Sequence, residues 1–203
     1  MFKVNQTKEG EEEYYYNLNY KGKEHKLYQH SYLGFGINLA REQFEKGLNE
    51  TTEQDQIENP CLPAPYTRFS NVLNKTMIGT SNDQLCFHLI SNLFDKNCDF
   101  VDCSWNNTFQ APFYDSSFVS LDNSFKTAKF LKLDFSSTSA SVFNDSANMI
   151  CAFDLPQFQS HFNVTDPENY CFQSFFISAI WNIGFGFPEG QVIPVYESYQ
   201  GVK

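Results

Sequence analysis

The sequence predicts an α/β chain in which helices decorate short strands, disulfides staple the loops, and a buried helix lies near the C-terminus. Three observations carry this expectation. Residues 12 to 35 alternate as a strand pair does. Two later stretches show capped apolar stripes at helical spacing. Six cysteines, at 61, 86, 98, 103, 151 and 171, fall along the chain as three successive pairs.

In chain order, Tyr14, Tyr16, Leu18 and Tyr20 form one strand, Lys21-Gly22-Lys23 a turn, and Leu27, Tyr28 and Tyr32 a second strand. Gly34-Phe35-Gly36 breaks it and leads to a polar helix over 38–46, stopped by Gly47. Residues 49–80, with Asn59-Pro60-Cys61 and two further prolines close by, read as a polar connection. Ser81 and Gln84 make a capping box for a helix whose stripe is Leu85, Cys86, Leu89, Ile90, Leu93 and Phe94. Loop and short strand fill 98–122, and helices are expected near 123–133 and 147–159. In the last helix Asp166 caps, Pro167 sits in the first turn, 170–183 is apolar nearly all round, and Gly184 ends it. Such a helix belongs inside a core.

At 203 residues the chain is long enough for one domain or one lobe, and 41% hydrophobic residues with 22 Phe exclude a disordered chain. A net charge of −10 excludes a nucleic-acid-gripping surface, which needs an excess of Lys and Arg. No apolar run reaches the ~20 residues of a membrane span. Asn-x-Ser/Thr sites start at Asn5, Asn49, Asn74, Asn106, Asn144 and Asn163, more than the about two or three that composition predicts. With an even cysteine count they point to an oxidising route: the secretory lumen, the cell surface or the exterior. The first residues carry no apolar signal segment, so the expectation is a cropped start, with residues 1–11 flexible.

Few residues offer chemistry by themselves. Cys98-x4-Cys103 has metal-like spacing, but zinc takes four ligands and no second pair lies nearby, so a local disulfide is the better reading. His30 and Ser31 would point to opposite faces of a strand and cannot act as base and nucleophile. His88 flanks an apolar stripe, and Asp99 and Asp102 are loop acids in an acidic chain. No glycine-rich phosphate loop is present.

Longer tracts say more. LYQHSYLGFG (27–36), NPC (59–61), LCFHLISNLF running into CDFVDCSWNNTFQAP (85–112), FVSLDNSFKTAKFL (118–131) and NYCFQSFFISAIWNIGFGF (169–187) stand in one order. They resemble successive segments of the apyrase family, the nucleoside triphosphate diphosphohydrolases, over roughly residues 12 to 195. The resemblance implies one partial domain over 1–203, most of the second lobe of an actin-like, ribonuclease-H-like fold without its first core strand. It implies the bridges Cys61–Cys86, Cys98–Cys103 and Cys151–Cys171, each stabilising by about 2–3.5 kcal/mol in the loop-entropy account.

The family hydrolyses phosphoanhydrides by attack of water on a nucleoside di- or triphosphate bound with Ca²⁺ or Mg²⁺. Its phosphate loops and general base lie in four motifs upstream of the tracts found here. The resemblance therefore implies no catalytic residue and no metal ligand in this chain, and no hydrolysis by the chain alone. A membrane anchor is possible in other segments of such a protein, on which this sequence is silent. Base-facing positions fall at Phe125, Lys126 and Tyr170. Lys126 stands where the family has a stacking Tyr, Asp166 where it has a basic residue, and Phe172-Gln173-Ser174 where it has a small, Gly-bearing segment. These departures leave nucleotide preference open. The rival expectations are a non-catalytic, secreted, disulfide-stapled binding module and a cytosolic chain with free thiols.

Overall fold

The computed structural model describes residues 10–49, 55–113, 116–164 and 167–199. It is a mixed α/β structure with three disulfides, pairing Cys61 with Cys86, Cys98 with Cys103 and Cys151 with Cys171.

Strands β1 (Tyr15–Tyr20) and β2 (Lys23–Tyr28) form an antiparallel hairpin. Its two-residue turn puts Lys21 and Gly22 at φ 50° and 72°, the left-handed geometry that matches the twist of paired strands. The second strand stops at Tyr28, four residues before the expected end. Upstream of Tyr15 the chain turns as a 3-10 segment over Glu12–Tyr14, so little of the partner strand remains to pair with. Tyr32 instead stacks on Trp105 with ring centroids 3.8 Å apart.

Helix α1 (Ile37–Asn49) runs straight through Gly47, which the sequence reading had as its stop. Ala40, Phe44 and Leu48 recur every four residues and are buried on one face. That burial outweighs the cost of an exposed helical glycine, ~1 kcal/mol.

The stretch read as a connection holds a sheet of three short strands: β3 (Gln56–Asn59), β4 (Thr67–Ser70) and β5 (Lys75–Gly79). Strand β5 lies in the middle, parallel to β3 and antiparallel to β4. Each strand is four or five residues long and buries few side chains, so periodicity is too short to detect, and the prolines between β3 and β4 mask the rest. At Gly79 the backbone of the loop between β3 and β4 comes so close that a Cβ would sit 2.7 Å from the Leu62 carbonyl oxygen and nearer still to that of Pro63.

Helix α2 (Asp83–Ser91) is capped by Asn82, whose carboxamide accepts from the Leu85 N–H at 3.0 Å, and not by Ser81. The Ser81 hydroxyl is committed elsewhere, accepting from Ala64 N–H and donating to the Phe153 carbonyl, both at 2.8 Å. Cys86 and Ile90 carry the buried stripe, while Leu85 faces solvent. Strand β6 (Ser120–Leu121) pairs in parallel with β7 (Val195–Tyr196), and α3 (Asn123–Phe130) follows β6.

Two helices replace the one expected over 147–159. Helix α4 (Ala140–Cys151) starts seven residues earlier under a Ser139 cap, and α5 (Leu155–Phe162) starts afresh under an Asp154/Gln157 capping box with Pro156 in its first turn. Helix α6 (Tyr170–Ala179) does not run to Ile183 as one α-helix. Its last turn, Ile180–Gly184, is a π-helix in which Phe185 N–H reaches the Ile180 carbonyl. Asn169 occupies the cap position, with Pro167 ahead of the helix, and Asp166 lies outside the described residues.

Two clusters make the core. The larger packs α1, α2, α4 and α6 with Trp105 and Phe94; the smaller joins Phe143, Trp181, Phe187, Ile193 and Val195 on the other side of α6. Two glycines give a paired test of the backbone argument. Gly79→Ala is expected to lower stability by about 2–3 kcal/mol through overpacking against backbone carbonyls. Gly47→Ala, with open space around its Cβ position, is expected to raise it by about 0.5–1 kcal/mol. Urea unfolding of the two variants beside the parent chain checks both signs.

Candidate functional site

Helix α3 carries two of the three positions, Phe125 and Lys126, that the resemblance implies to face a base. It leaves β6 at Asp122, which sits at φ 51° and forms a 2.6 Å ion pair with Lys126 one turn on. Both side chains are mostly exposed, so the pair is screened and weakly held. One position earlier, Phe125 is half-buried with its ring 4.8 Å from that of Phe135, and the Lys129 ammonium lies 6.0 Å from its centroid. Asp134, beside Phe135, accepts from the Ser136 N–H and from the hydroxyls of Ser136 and Ser137. These bonds to the ionised form hold its carboxyl below the usual carboxylate range. The flank thus offers an aromatic pair, two ammonium groups and an ionised carboxylate. Stacking on a flat heteroaromatic ring and pairing with an anion are within its reach.

Tyr170 is placed elsewhere. At the first residue of α6 its ring lies flat on Phe130, centroids 3.3 Å apart and planes 7° from parallel, with Phe158 beyond. Phe130 is five residues after Phe125 on α3, about 140° round the helix. Phe125 and Lys126 are neighbours on α3, about 100° apart round the helix, while Tyr170 is turned toward Phe130. One face of its ring is covered by protein.

Of the other residues weighed, His30 packs its ring between Tyr14 and Tyr32, at 5.2 and 4.7 Å, in an irregular segment rather than a strand. His88 is exposed on α2, and Asp99 holds the side chain of Asn107 across the Cys98–Cys103 loop. Asn74, Asn106 and Asn163 are exposed and sit at left-handed φ of 52–54° in turns or at a helix end. Asn144 is half-buried within α4, Asn49 ends α1, and Asn5 lies outside the described residues. Among the described residues, the group of three potential metal ligands is Cys61, Cys86 and Cys171, all disulfide-bonded. No carboxylate or imidazole cluster joins them there. No described helix is long and apolar enough to cross a membrane.

Sequence reasoning missed a polar and aromatic junction around Trp105. The indole is fully buried, stacked on Tyr32 and edge-on to Phe94, and the Gly184 backbone passes so close that a Cβ there would lie 3.0 Å from the ring. The Lys96 ammonium donates to the carbonyls of Ser104 and Gly184 at 2.8 and 2.9 Å, and burial lowers its pKa. The Tyr32 hydroxyl meets that of Ser104 at 2.7 Å, and the Tyr28 hydroxyl donates to the Phe109 carbonyl at 2.8 Å. A buried tryptophan beside a short Cys loop was a signal in the sequence; the lysine that serves it was not.

The tyrosine gives a pH test. Burial first, then the neighbouring Tyr32 hydroxyl, raises the Tyr28 pKa well above its ordinary value of 10.0. A folded-state pKa above the unfolded one means that its contribution is complete below pH ~10 and is lost as pH rises past that value. Tyr28→Phe is expected to be less stable than the parent by about 1 kcal/mol near neutral pH, from loss of one hydrogen bond. That gap narrows toward pH ~11. Urea midpoints across the range check it, and a gap that stays constant contradicts the assignment.

The GDA1/CD39 (nucleoside phosphatase) family model matches residues 1–201. The chain is 25% identical over 198 residues to mouse (Mus musculus) ectonucleoside triphosphate diphosphohydrolase 2, covering 85% of this chain and 39% of that protein. It is 31% identical over 122 residues to guanosine-diphosphatase of Schizosaccharomyces pombe, covering 48% and 21%. Against the protein named probable apyrase 4 of Arabidopsis thaliana the identity is 23% over 193 residues, covering 83% and 38%. The chain spans about two fifths of the length of the first of these relatives.

Proposed function

The chain belongs to the GDA1/CD39 (nucleoside phosphatase) family, and from that membership we propose that it is most of the second, actin-like lobe of a nucleoside di- or triphosphate hydrolase. The observation that carries the reading is the family match along 1–201. The reaction is attack of water on a terminal phosphoanhydride, with Ca²⁺ or Mg²⁺ supplying charge neutralisation when bound. The residues described here do not offer a cage for such an ion: hard cations want several oxygen ligands converging, and no acidic or histidine cluster is present among them. No step is therefore assigned to this chain's own side chains beyond binding.

Within that reading the chain contributes the base-facing wall. Phe125 and Phe135 supply a ring surface, Lys126 and Lys129 supply positive charge at its edge, and Tyr170 works from behind by fixing Phe130 and so the pitch of α3. The compartment is the secretory lumen, the cell surface or the exterior, where three disulfides persist and where Asn74, Asn106 and Asn163 offer exposed glycan acceptors. A secreted binding module on the same staples is the second reading, resting on the three disulfides alone.

Purified chain, given ATP, GDP or UDP with Ca²⁺ or Mg²⁺, is expected to release no phosphate above background. EDTA-sensitive release overturns the assignment of catalysis to parts outside this chain. Amide chemical shifts at high nucleotide concentration are expected to move on α3 and near Phe135, and to stay still in Phe125→Ala. Shifts confined to other elements, or none, remove the base-facing role.

A further inference from the structure

Two of the three disulfides meet in the core. Cys61–Cys86 ties the loop after β3 to α2, and Cys151–Cys171 ties the end of α4 to the start of α6. The Sγ atoms of Cys86 and Cys171 belong to different bridges, yet they lie 3.6 Å apart. The Sγ of Cys61 is within 4.8 Å of both. All four cysteines are at most 3% exposed. At that separation no atom fits between the two sulfurs. Thiol–disulfide exchange needs a thiolate in reach of a disulfide sulfur and an exit for the leaving thiolate. The first requirement is met here as soon as either bridge opens.

We propose that Cys86 and Cys171 form an internal thiol–disulfide exchange site, which passes the opening of one buried bridge to the other and leaves a Cys86–Cys171 bridge. Entry is at Cys151, the last residue of α4, next to exposed Ala152, where fraying of a helix end uncovers the sulfur. A thiolate of a small dithiol attacks Cys151 Sγ, and Cys171 leaves as a thiolate. Cys171 then attacks Cys86 Sγ, forming the Cys86–Cys171 bond, and Cys61 leaves as a thiolate and takes up a proton. The second thiol of the reagent closes on the first and frees Cys151. In total one dithiol is oxidised to its cyclic disulfide, and two native bridges become one bridge and two thiols, Cys61 and Cys151.

The product suits the fold because α2 and α6 are already packed, with Phe87 and Phe175 rings 5.3 Å apart. The new bond joins two helices that need not move toward each other. The β3–β4 loop and the end of α4 are what it releases. The Cys98–Cys103 bridge stands apart, outside the group of neighbouring sulfurs.

Limited reduction of the chain by dithiothreitol, acid quenching, alkylation and peptide mapping test this. Among molecules with two of the four core cysteines alkylated, the labels are expected on Cys61 and Cys151, together with a linked Cys86–Cys171 peptide. Labels only on native partners, Cys61 with Cys86 or Cys151 with Cys171, overturn the proposal. In Cys61→Ser the monomeric fraction is expected to contain Cys86–Cys171 with free Cys151; a free thiol found at Cys86 alone contradicts it. Links from the core cysteines to Cys98 or Cys103 also count against it, since they report exchange through unfolding. Should Cys61→Ser fail to fold, the labelling pattern of the unaltered chain decides.

Discussion

A helix that is apolar on every side cannot stand at a surface, and α6 is such a helix. From Cys171 to Ala179 every residue except Gln173 is buried, so the rest of the chain must enclose it. Phe172 meets Phe44 of α1, Phe175 meets Phe87 of α2, and Ser178 donates to the Ala140 carbonyl of α4 at 2.9 Å. Thr127 of α3 donates to Gln173, the one half-open position. Two of the bridges end on or beside this helix, because Cys171 lies in its first turn and Cys86 touches it. The closeness of the two bridges is thus a consequence of one helix serving as the axis for both.

Charge enters this core only where geometry forces it, and there it is paired. Glu45 of α1 is buried, accepts from Ser70 at 2.6 Å and pairs with Arg68 of β4. Arg41 and Arg68 both reach Glu168, and Arg41 donates to Asn169, at the entry to α6. A carboxylate this deep is tolerable only with such partners, since removing one from a buried pair costs about 3–5 kcal/mol. The network locks α1, the small sheet and the start of α6 together. Lys96 has the same logic at the other end, where the π-turn leaves the Gly184 carbonyl without a helical partner and the ammonium supplies one.

What could be read in advance followed the length of each signal. The hairpin, α2, α3 and α6 were legible because alternation or a stripe ran long enough to register, and because Lys21-Gly22 marked a turn. The β3–β5–β4 sheet was not, since strands of four or five residues carry no measurable period and three prolines fill the β3–β4 loop. At Gly47 a local stop signal lost to the burial of Leu48. At Ser81 a good capping residue was drawn off by Ala64 and Phe153, which are distant in sequence. The Asp154-Leu155-Pro156-Gln157 start of α5 was present and overlooked. Placement of Phe125, Lys126 and Tyr170 depends on helix phase, which a motif does not carry: Phe125 and Phe130 are both on α3, yet they look in different directions.

The proposed base-facing role bears on how such a chain can vary. If the phosphates are held and hydrolysed by parts outside the chain, the α3 flank touches only the non-reacting end of the substrate. Contacts there are equally strong before and during reaction, so they set affinity and leave the chemical barrier alone. Replacing an aromatic residue by Lys126 exchanges stacking for charge at the base edge without disturbing the machinery of attack. Replacing a small, flexible segment by Phe172-Gln173-Ser174 is constrained differently, because Phe172 is packed on Phe44 and Phe176 and belongs to the core. On the proposed function, the first kind of change acts on nucleotide affinity; the second acts on how firmly α6 is held in place.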